Sequence, residues 1–410
     1  MTSIATCRSC GSPELDAILS LGETPLANAL LRPGKLDAPE ARYPLDLLFC
    51  PACSLVQIRE TVPPEVLFRD YVYFSSYSDT MLRHAEALTT ELVRERGLDG
   101  DSLALEVASN DGYLLQYYRR RGVQVRGIEP ARNVARVAEE RGIPTVTEFF
   151  GQELAGRLVR EGLRADVLHA NNVLAHVADL NGFVAGLREM LSDDGLAVIE
   201  VPYLGELVPR LEFDTIYHEH LCYFSLTAVS RLFARHGLIA VDVEEIPLHG
   251  GSLLLRFSPE GSAPPPSARV SALLEREAAL GMTRRAYYAE LAPRVLHWRE
   301  RFRAFLHDLK GCGKRIAAYG AAAKGATLLN YAQVGTEVID FVADRSPVKQ
   351  GCLMPGVHVP IRPPQELVER HPDAVVLLAW NFADEIVAQQ AAYTRAGGRF
   401  IVPVPEVAFL

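Results

Sequence analysis

The sequence predicts an α/β protein with a central, doubly wound parallel sheet. A small metal-stapled unit precedes that sheet, and a second, smaller α/β unit follows it. Three observations carry this reading. Two Cys-x-x-Cys pairs lie at Cys7/Cys10 and Cys50/Cys53. From about residue 79, short apolar runs alternate with helical patterns, which argues a parallel sheet with helices on both faces. A second alternation of the same kind begins at Arg315.

The chain has 410 residues. At roughly 150 residues per domain, that length favours two or three domains. With 49% hydrophobic and 23% charged residues the composition is that of a globular protein. Forty-two basic against 51 acidic residues leave a net charge of −9. A general nucleic-acid binder needs a basic surface, so that class is disfavoured. A nucleic-acid adaptor built from a zinc unit and a nucleotide-binding fold is disfavoured for the same reason. No apolar run reaches the ~18 residues of a membrane span. The opening MTSIATCRSC lacks the basic-then-apolar pattern of a secretion signal, so the expected location is the cytoplasm.

Residues 1–65 are read as the first unit. They are rich in Gly and Pro turns, and a unit this small gains from a metal staple. Each cysteine pair forms one knuckle supplying two sulfurs, and four thiolates satisfy tetrahedral Zn²⁺ with no open position. The site is therefore structural. A redox pair would open a thioredoxin-like βαβ unit, and none follows. Cys222, Cys312 and Cys352 are scattered. Residues 66–78, VLFRDYVYFSSYS, read as an aromatic connecting segment.

The central unit is expected over 66–262. Its helices are expected at 79–96, near 112–121, and at 131–141, 180–191 and 226–236. Its parallel strands are expected at 103–107, 123–128, 143–147, 166–170 and 195–201, with 239–246 and 252–258 as an antiparallel end. Residues 260–267 are Gly/Pro/Ser-rich and break the pattern. Two helices over 268–310, interrupted near Gly281, read as a connector (263–314). Strands near 315–319, 338–343, 374–379 and 399–402 then build a Rossmann-like unit over 315–410.

The loop Glu106-Val-Ala-Ser-Asn-Asp-Gly112 joins the first central strand to its helix, where doubly wound sheets bind ligands. It is not the G-x-G-x-x-G fingerprint, because only Gly112 is present. Glu129-Pro130 ends the second strand, and a carboxylate there can accept both hydroxyls of a ribose. Asp111 and Gly112 open a helix whose amino end favours a carboxylate ligand. A pyrophosphate cofactor would need several glycines for close approach. S-adenosylmethionine has no phosphate and tolerates bulkier loops, so it is the expected cofactor. The competing reading is a core acid and a helix-capping aspartate. Farther on, Asn172 can meet the methionine or substrate end, and His176 points into the same crevice.

These features, with the run Phe213-Asp-Thr-Ile-Tyr-His-Glu-His220 and Phe224-Ser225, resemble the nucleotide-sugar C-methyltransferases. The resemblance spans the whole chain. It implies a zinc domain, a class I methyltransferase sheet and a C-terminal Rossmann-like domain. Ala108 departs from the family, which usually carries Gly there. The implied cofactor contacts are Glu106, Ala108, Asn110, Asp111, Gly112, Glu129, Pro130 and Asn172. The resemblance also implies a nucleotide-sugar substrate, no nucleic-acid or membrane partner, and a monomer.

C-methylation beside a ketone needs a base, a donor for the enolate oxygen and an in-line methyl group. His220 is the expected base, since histidine suits that role near neutral pH. Tyr217 would polarise the ketone, and Glu219 would orient substrate or share proton handling. His218 falls where the family varies. Metal binding by His218 and His220 lacks further ligands. In the family the linker crosses the substrate pocket, which assigns Tyr73, and adds Ser75 and Ser78 near a diphosphate. His249, beside two glycines that permit close approach, is another substrate candidate. Tyr319-Gly-Ala-Ala-Ala-Lys324 is not a Walker A loop, but a helix start with Lys324 can hold an anion. Close helix–sheet packing by small residues is its competing explanation. The expected reaction is methyl transfer to carbon 3 of a nucleotide-diphospho-4-keto-6-deoxysugar. The alternative is the same fold acting at sugar carbon 5 or on an oxygen of a small molecule.

Overall fold

The computed structural model describes residues 2–35, 39–68 and 74–410. Among these, the strands form four sheets. In the amino-terminal unit, β1 (Thr2–Ser3) pairs with β5 (Glu60–Thr61). There β2 (Asp16–Pro25), β3 (Arg42–Phe49) and β4 (Val56–Ile58) form an antiparallel sheet.

The central sheet contains β6 (Leu103–Val107), β7 (Gln124–Ile128), β8 (Thr145–Val146), β9 (Ala165–Asn171) and β10 (Leu191–Pro202). A strand from a distant part of the chain, β11 (Cys222–Tyr223), leaves this unit and closes the amino-terminal sheet instead, with Cys222 opposite Gln57. β12 (Leu238–Ile246) and β13 (Ser252–Pro259) complete the central sheet, in the order β12-β13-β10-β9-β6-β7-β8. Only β13 runs against its neighbours. Apart from Glu106, β6 is apolar along its length because helices cover both faces.

The carboxy-terminal sheet holds β14 (Ile316–Tyr319), β15 (Val342–Ala343), β16 (Ile361–Arg362), β17 (Ala374–Leu377), β18 (Arg399–Val402) and β19 (Ala408–Phe409). Their order is β16-β15-β14-β17-β18-β19, parallel except for β19. The order reverses direction at β14, so a crevice opens at the carboxyl ends of β14 and β17.

Local chemistry sets the boundaries. The helix Asp79–Arg96 starts where the Ser78 hydroxyl accepts the Met81 N–H, and it stops at left-handed Gly97. The helix expected from residue 112 begins only at Leu115, because Ala108, Asn110 and Gly112 all carry positive φ. The strand expected over 338–343 shrinks to Val342–Ala343. Val338 and Ile339 turn back and donate to the Gly335 carbonyl. β10 starts earlier than expected, through a register shift between Leu191 and Leu196.

Candidate active site

The carboxyl ends of both parallel sheets face one cavity of about 1080 Å³. Residues after β6, β7, β9 and β10 form one side, and residues after β14, β15 and β17 form the other. The amino-terminal unit adds Asn28, Val62, Pro64, Glu65 and Leu67.

On the central side, the wall includes Ala108, Asn110, Glu129, Pro130 and Asn172. Ala108 sits at φ 57, a left-handed conformation that L side chains disfavour; the usual glycine of related loops suits it better. Glu129 is fixed by two backbone donors, Ala131 N–H to Oε1 and Asn110 N–H to Oε2, each at 2.9 Å. Burial nevertheless pushes its carboxyl up to about 7. Asn172 is anchored to Glu200, donating from Nδ2 to Oε1 at 2.6 Å. His84 holds the other Glu200 oxygen at 2.8 Å.

Three residues assigned to the cofactor are not on that wall. Glu106 lies inside the sheet, 1% exposed, and burial pushes its carboxyl well above the usual range. Asp111 is buried against Arg141 at 3.0 Å and accepts from the Ser76 hydroxyl. Gly112 serves the turn, since a Cβ there would sit 2.9 Å from Ile143. They shape the loop from behind. Ser75 does reach the wall, and its N–H donates to Asn110 Oδ1 at 2.9 Å. Ser78 does not, because its hydroxyl is engaged in capping the helix. Tyr73 lies outside the described residues.

Also after β10, the short turn Phe213–Thr215 delivers Tyr217 and His220 to the wall, and β11 then anchors the exit. Nδ1 of His220 lies 2.9 Å from the Thr215 carbonyl, which can only accept. The ring is thereby the Nδ1–H tautomer, and Nε2 accepts from the Tyr217 hydroxyl at 2.8 Å. Burial first, and His176, His249 and Lys324 nearby, hold the His220 pKa well below its ordinary value. His176 packs edge-on against this ring at 4.7 Å and donates from Nδ1 to the Glu219 carbonyl at 2.7 Å. His218 points away, onto the Pro44 carbonyl and the Tyr43 ring.

Glu219 departs from expectation: its carboxylate is 3% exposed and not on the wall. It accepts from Asn28 Nδ2, and burial pushes it up to about 7. His249 is on the wall at φ 55, edge-on to Phe382. Lys324 is on the wall too, 4.2 Å above the Trp380 ring, while Trp380 Nε1–H donates to Asp214 at 2.7 Å. Burial lowers the Lys324 pKa and raises Asp214 to about 6 and Glu212 to about 8. Asp344, ending β15, accepts from the Ala321 and Ser346 N–H groups at the same mouth.

Sequence reasoning missed Asn28, Glu200, Glu212, Asp214 and Lys349, the last also on the cavity wall. Asp214 lay inside a run already singled out; Asn28 had no local signal.

Away from the cavity, the sulfurs of Cys7, Cys10, Cys50 and Cys53 all lie within 4.8 Å of one another. Cys7–Cys53 and Cys10–Cys50 are each 3.6 Å apart. Four sulfurs about 2.3 Å from a tetrahedral ion stand about 3.8 Å apart, so the donor set fits Zn²⁺.

Three family models match consecutive parts of the chain: a zinc binding domain over 7–68, a methyltransferase domain over 81–243 and a C-methyltransferase C-terminal domain over 247–405. The C-methyltransferase NovU of Streptomyces niveus is 37% identical over 404 residues, covering 98% of this chain and 96% of that relative. The chain belongs to the C-methyltransferase family. As a family member it is an S-adenosylmethionine-dependent methyltransferase with a four-cysteine zinc site. Solved structures with partial likeness include magnesium protoporphyrin IX methyltransferase (ChlM) from Synechocystis PCC 6803 with bound SAM. It has 12% identity and a TM-score of 0.34, covering 43% of this chain and 79% of that one. The PH0226 protein of Pyrococcus horikoshii OT3 has 16% identity and a TM-score of 0.35, covering 46% and 95%. Among the described residues of this family member, no helix is long and apolar enough to cross a membrane.

Proposed function

We propose that this C-methyltransferase methylates carbon 3 of a nucleotide-diphospho-4-keto-6-deoxysugar. The observation that carries this is one cavity bearing three kinds of group. Glu129 suits a ribose, the Tyr217–His220 pair suits a ketone and its acidic neighbour, and Lys324 suits a diphosphate.

S-adenosylmethionine, when bound, supplies an electrophilic methyl group. Glu129 would accept from the ribose hydroxyls, and Ala108, Asn110, Pro130 and Asn172 would shape the slot around it. Lys324 and the Gly320 loop neutralise the diphosphate. The Tyr217 O–H moves its hydrogen bond from His220 Nε2 to the ketone oxygen. That exposes the Nε2 lone pair, which removes the proton from the carbon beside the ketone. Nδ1–H stays on the Thr215 carbonyl and steadies the imidazolium. Tyr217 then stabilises the enolate oxygen and His220 holds the proton; the methyl group would pass from the sulfonium sulfur to the carbanionic carbon, leaving S-adenosylhomocysteine. His176 and His249 line the same cavity. Enclosure by three parts of the chain keeps water from the reacting centre. A reducing compartment suits four unoxidised thiolates, which is consistent with a cytoplasmic enzyme; the family resemblance adds that it acts as a monomer.

The test is transfer of radiolabel from S-adenosylmethionine to keto-deoxysugar nucleotides, with the product's methyl position read by NMR. Label at carbon 3 supports the proposal. Label at carbon 5 or on oxygen, or no transfer to any keto-sugar nucleotide, overturns it.

A further inference from the structure

Asn28 belongs to the four-cysteine unit in sequence, yet its side chain is on the wall of the methyl-transfer cavity. The segment holding it is pinned at both sides. Ala29 N–H donates to the Leu26 carbonyl, and Leu31 exchanges two backbone hydrogen bonds with Leu353 of the carboxy-terminal unit, at 3.0 and 2.8 Å. The amide is therefore held between the other two units.

Its orientation is fixed as well. Nδ2 lies 2.8 and 2.9 Å from the two oxygens of Glu219. Ionised Glu219 only accepts, so in that form the NH₂ faces inward and Oδ1 is the acceptor left for the cavity. Glu219 itself is behind the wall, 3% exposed, with Lys349 as its cationic neighbour. Lys349 in turn donates to the Ala321 carbonyl of the Gly320 loop at 2.8 Å. The order from cavity to interior is Asn28, then Glu219.

We propose that Asn28 is a specificity-determining contact of the acceptor: its amide oxygen accepts a hydrogen bond from a hydroxyl of the sugar ring, and Glu219 acts through it as a positioning residue. This rests on the keto-sugar reading above and adds a requirement to it. The acceptor must carry a hydrogen-bond donor beside the reacting carbon. An acceptor that a bound substrate covers without offering a donor is left unpaired, and such sites discriminate strongly.

Full-length, zinc-loaded Asn28→Ala and Asn28→Asp separate this role from packing. Asp keeps the shape but, ionised, cannot donate to Glu219 and sets two carboxylates against each other. We expect kcat/KM for the keto-sugar nucleotide to fall at least tenfold in both variants, chiefly through KM. The Kd for S-adenosylhomocysteine should stay within twofold, and each chain should retain one zinc. Wild-type kcat/KM in Asn28→Ala, which removes the acceptor, overturns the inference. Equal losses of S-adenosylhomocysteine and sugar affinity in both variants also overturn it, since they would mark a general structural role. Wild-type protein that binds no S-adenosylhomocysteine overturns the functional reading instead, and calorimetry distinguishes that result from the others.

Discussion

The Tyr217 hydroxyl donates to Nε2 of His220 across 2.8 Å, while the other ring nitrogen is committed to the Thr215 carbonyl. The pair stores a lone pair under a removable cap. His220→Ala should slow methyl transfer about 10²–10⁴-fold, the usual span for a lost general base. Tyr217→Phe should cost about 10²–10³-fold, as for a lost oxyanion donor. Exchange of the proton beside the ketone, followed by NMR in D₂O without cofactor, is the direct check; unchanged exchange in His220→Ala removes His220 from the role.

Burial holds the His220 pKa well below 6.5, so the ring stays neutral through the neutral range. With cofactor saturating, kcat should therefore persist as pH falls through 6.5 and drop only farther down. A limb at or above 6.5 would contradict the buried, neutral base.

Glu129 has the opposite exposure to pH. Burial raises its carboxyl to about 7, and ribose hydroxyls donate to the ionised form. Ligand binding thus favours deprotonation, and affinity should rise with pH through about 7 and level off above it. Calorimetric titration of S-adenosylhomocysteine from pH 5.5 to 8.5 measures this. Glu129→Gln should flatten the dependence and weaken binding by about 1.5–3 kcal/mol, the range for hydrogen bonds to a charged group.

At Ala108 the backbone holds φ 57, where an L residue costs roughly 1–2 kcal/mol. Glycine removes that cost but loosens the unfolded chain by about 0.4–1 kcal/mol. Ala108→Gly should stabilise the protein by somewhat under about 1 kcal/mol, visible as a small rise in Tm. A fall in Tm would mean that the methyl group packs more usefully than its conformation costs.

Lys324 stands over Trp380, which Asp214 holds by its indole N–H. Lys324→Ala should raise KM for the nucleotide sugar about tenfold, with S-adenosylhomocysteine binding unchanged. Asp214→Asn should give a smaller shift in the same direction. Loss of cofactor binding in either variant would place this cluster on the wrong side of the cavity.

Much of the architecture was legible because the signals were local. The apolar runs at β6, β7 and β9 announced buried strands, and Ser78 and Gly97 marked where a helix begins and ends. The cysteine spacing announced a closed four-sulfur set. The same local signals misled at Ser78, whose hydroxyl was expected near a diphosphate but is engaged in capping. Glu106, Asp111 and Gly112 shared a loop with true wall residues, yet strand alternation and the Arg141 ion pair turn them inward. Asn28 and Glu219 lie 191 positions apart, and only tertiary packing introduces them. The two-residue strands Ile361–Arg362 and Ala408–Phe409 are too short to leave a period.

The pairing of β11 with β4 has a bearing on how this protein can be re-engineered. Leu221 also takes a backbone hydrogen bond from Ile58. A chimera that grafts only the first 65 residues from a relative would join foreign edge chemistry to a native closing strand. The exchangeable module is discontinuous: the cysteine-bearing segment must travel together with roughly residues 213–225. A chain lacking residues 1–78 would likewise leave β11 without its partner strand and the reactive loop untethered, whatever the rest of the chain still folds into.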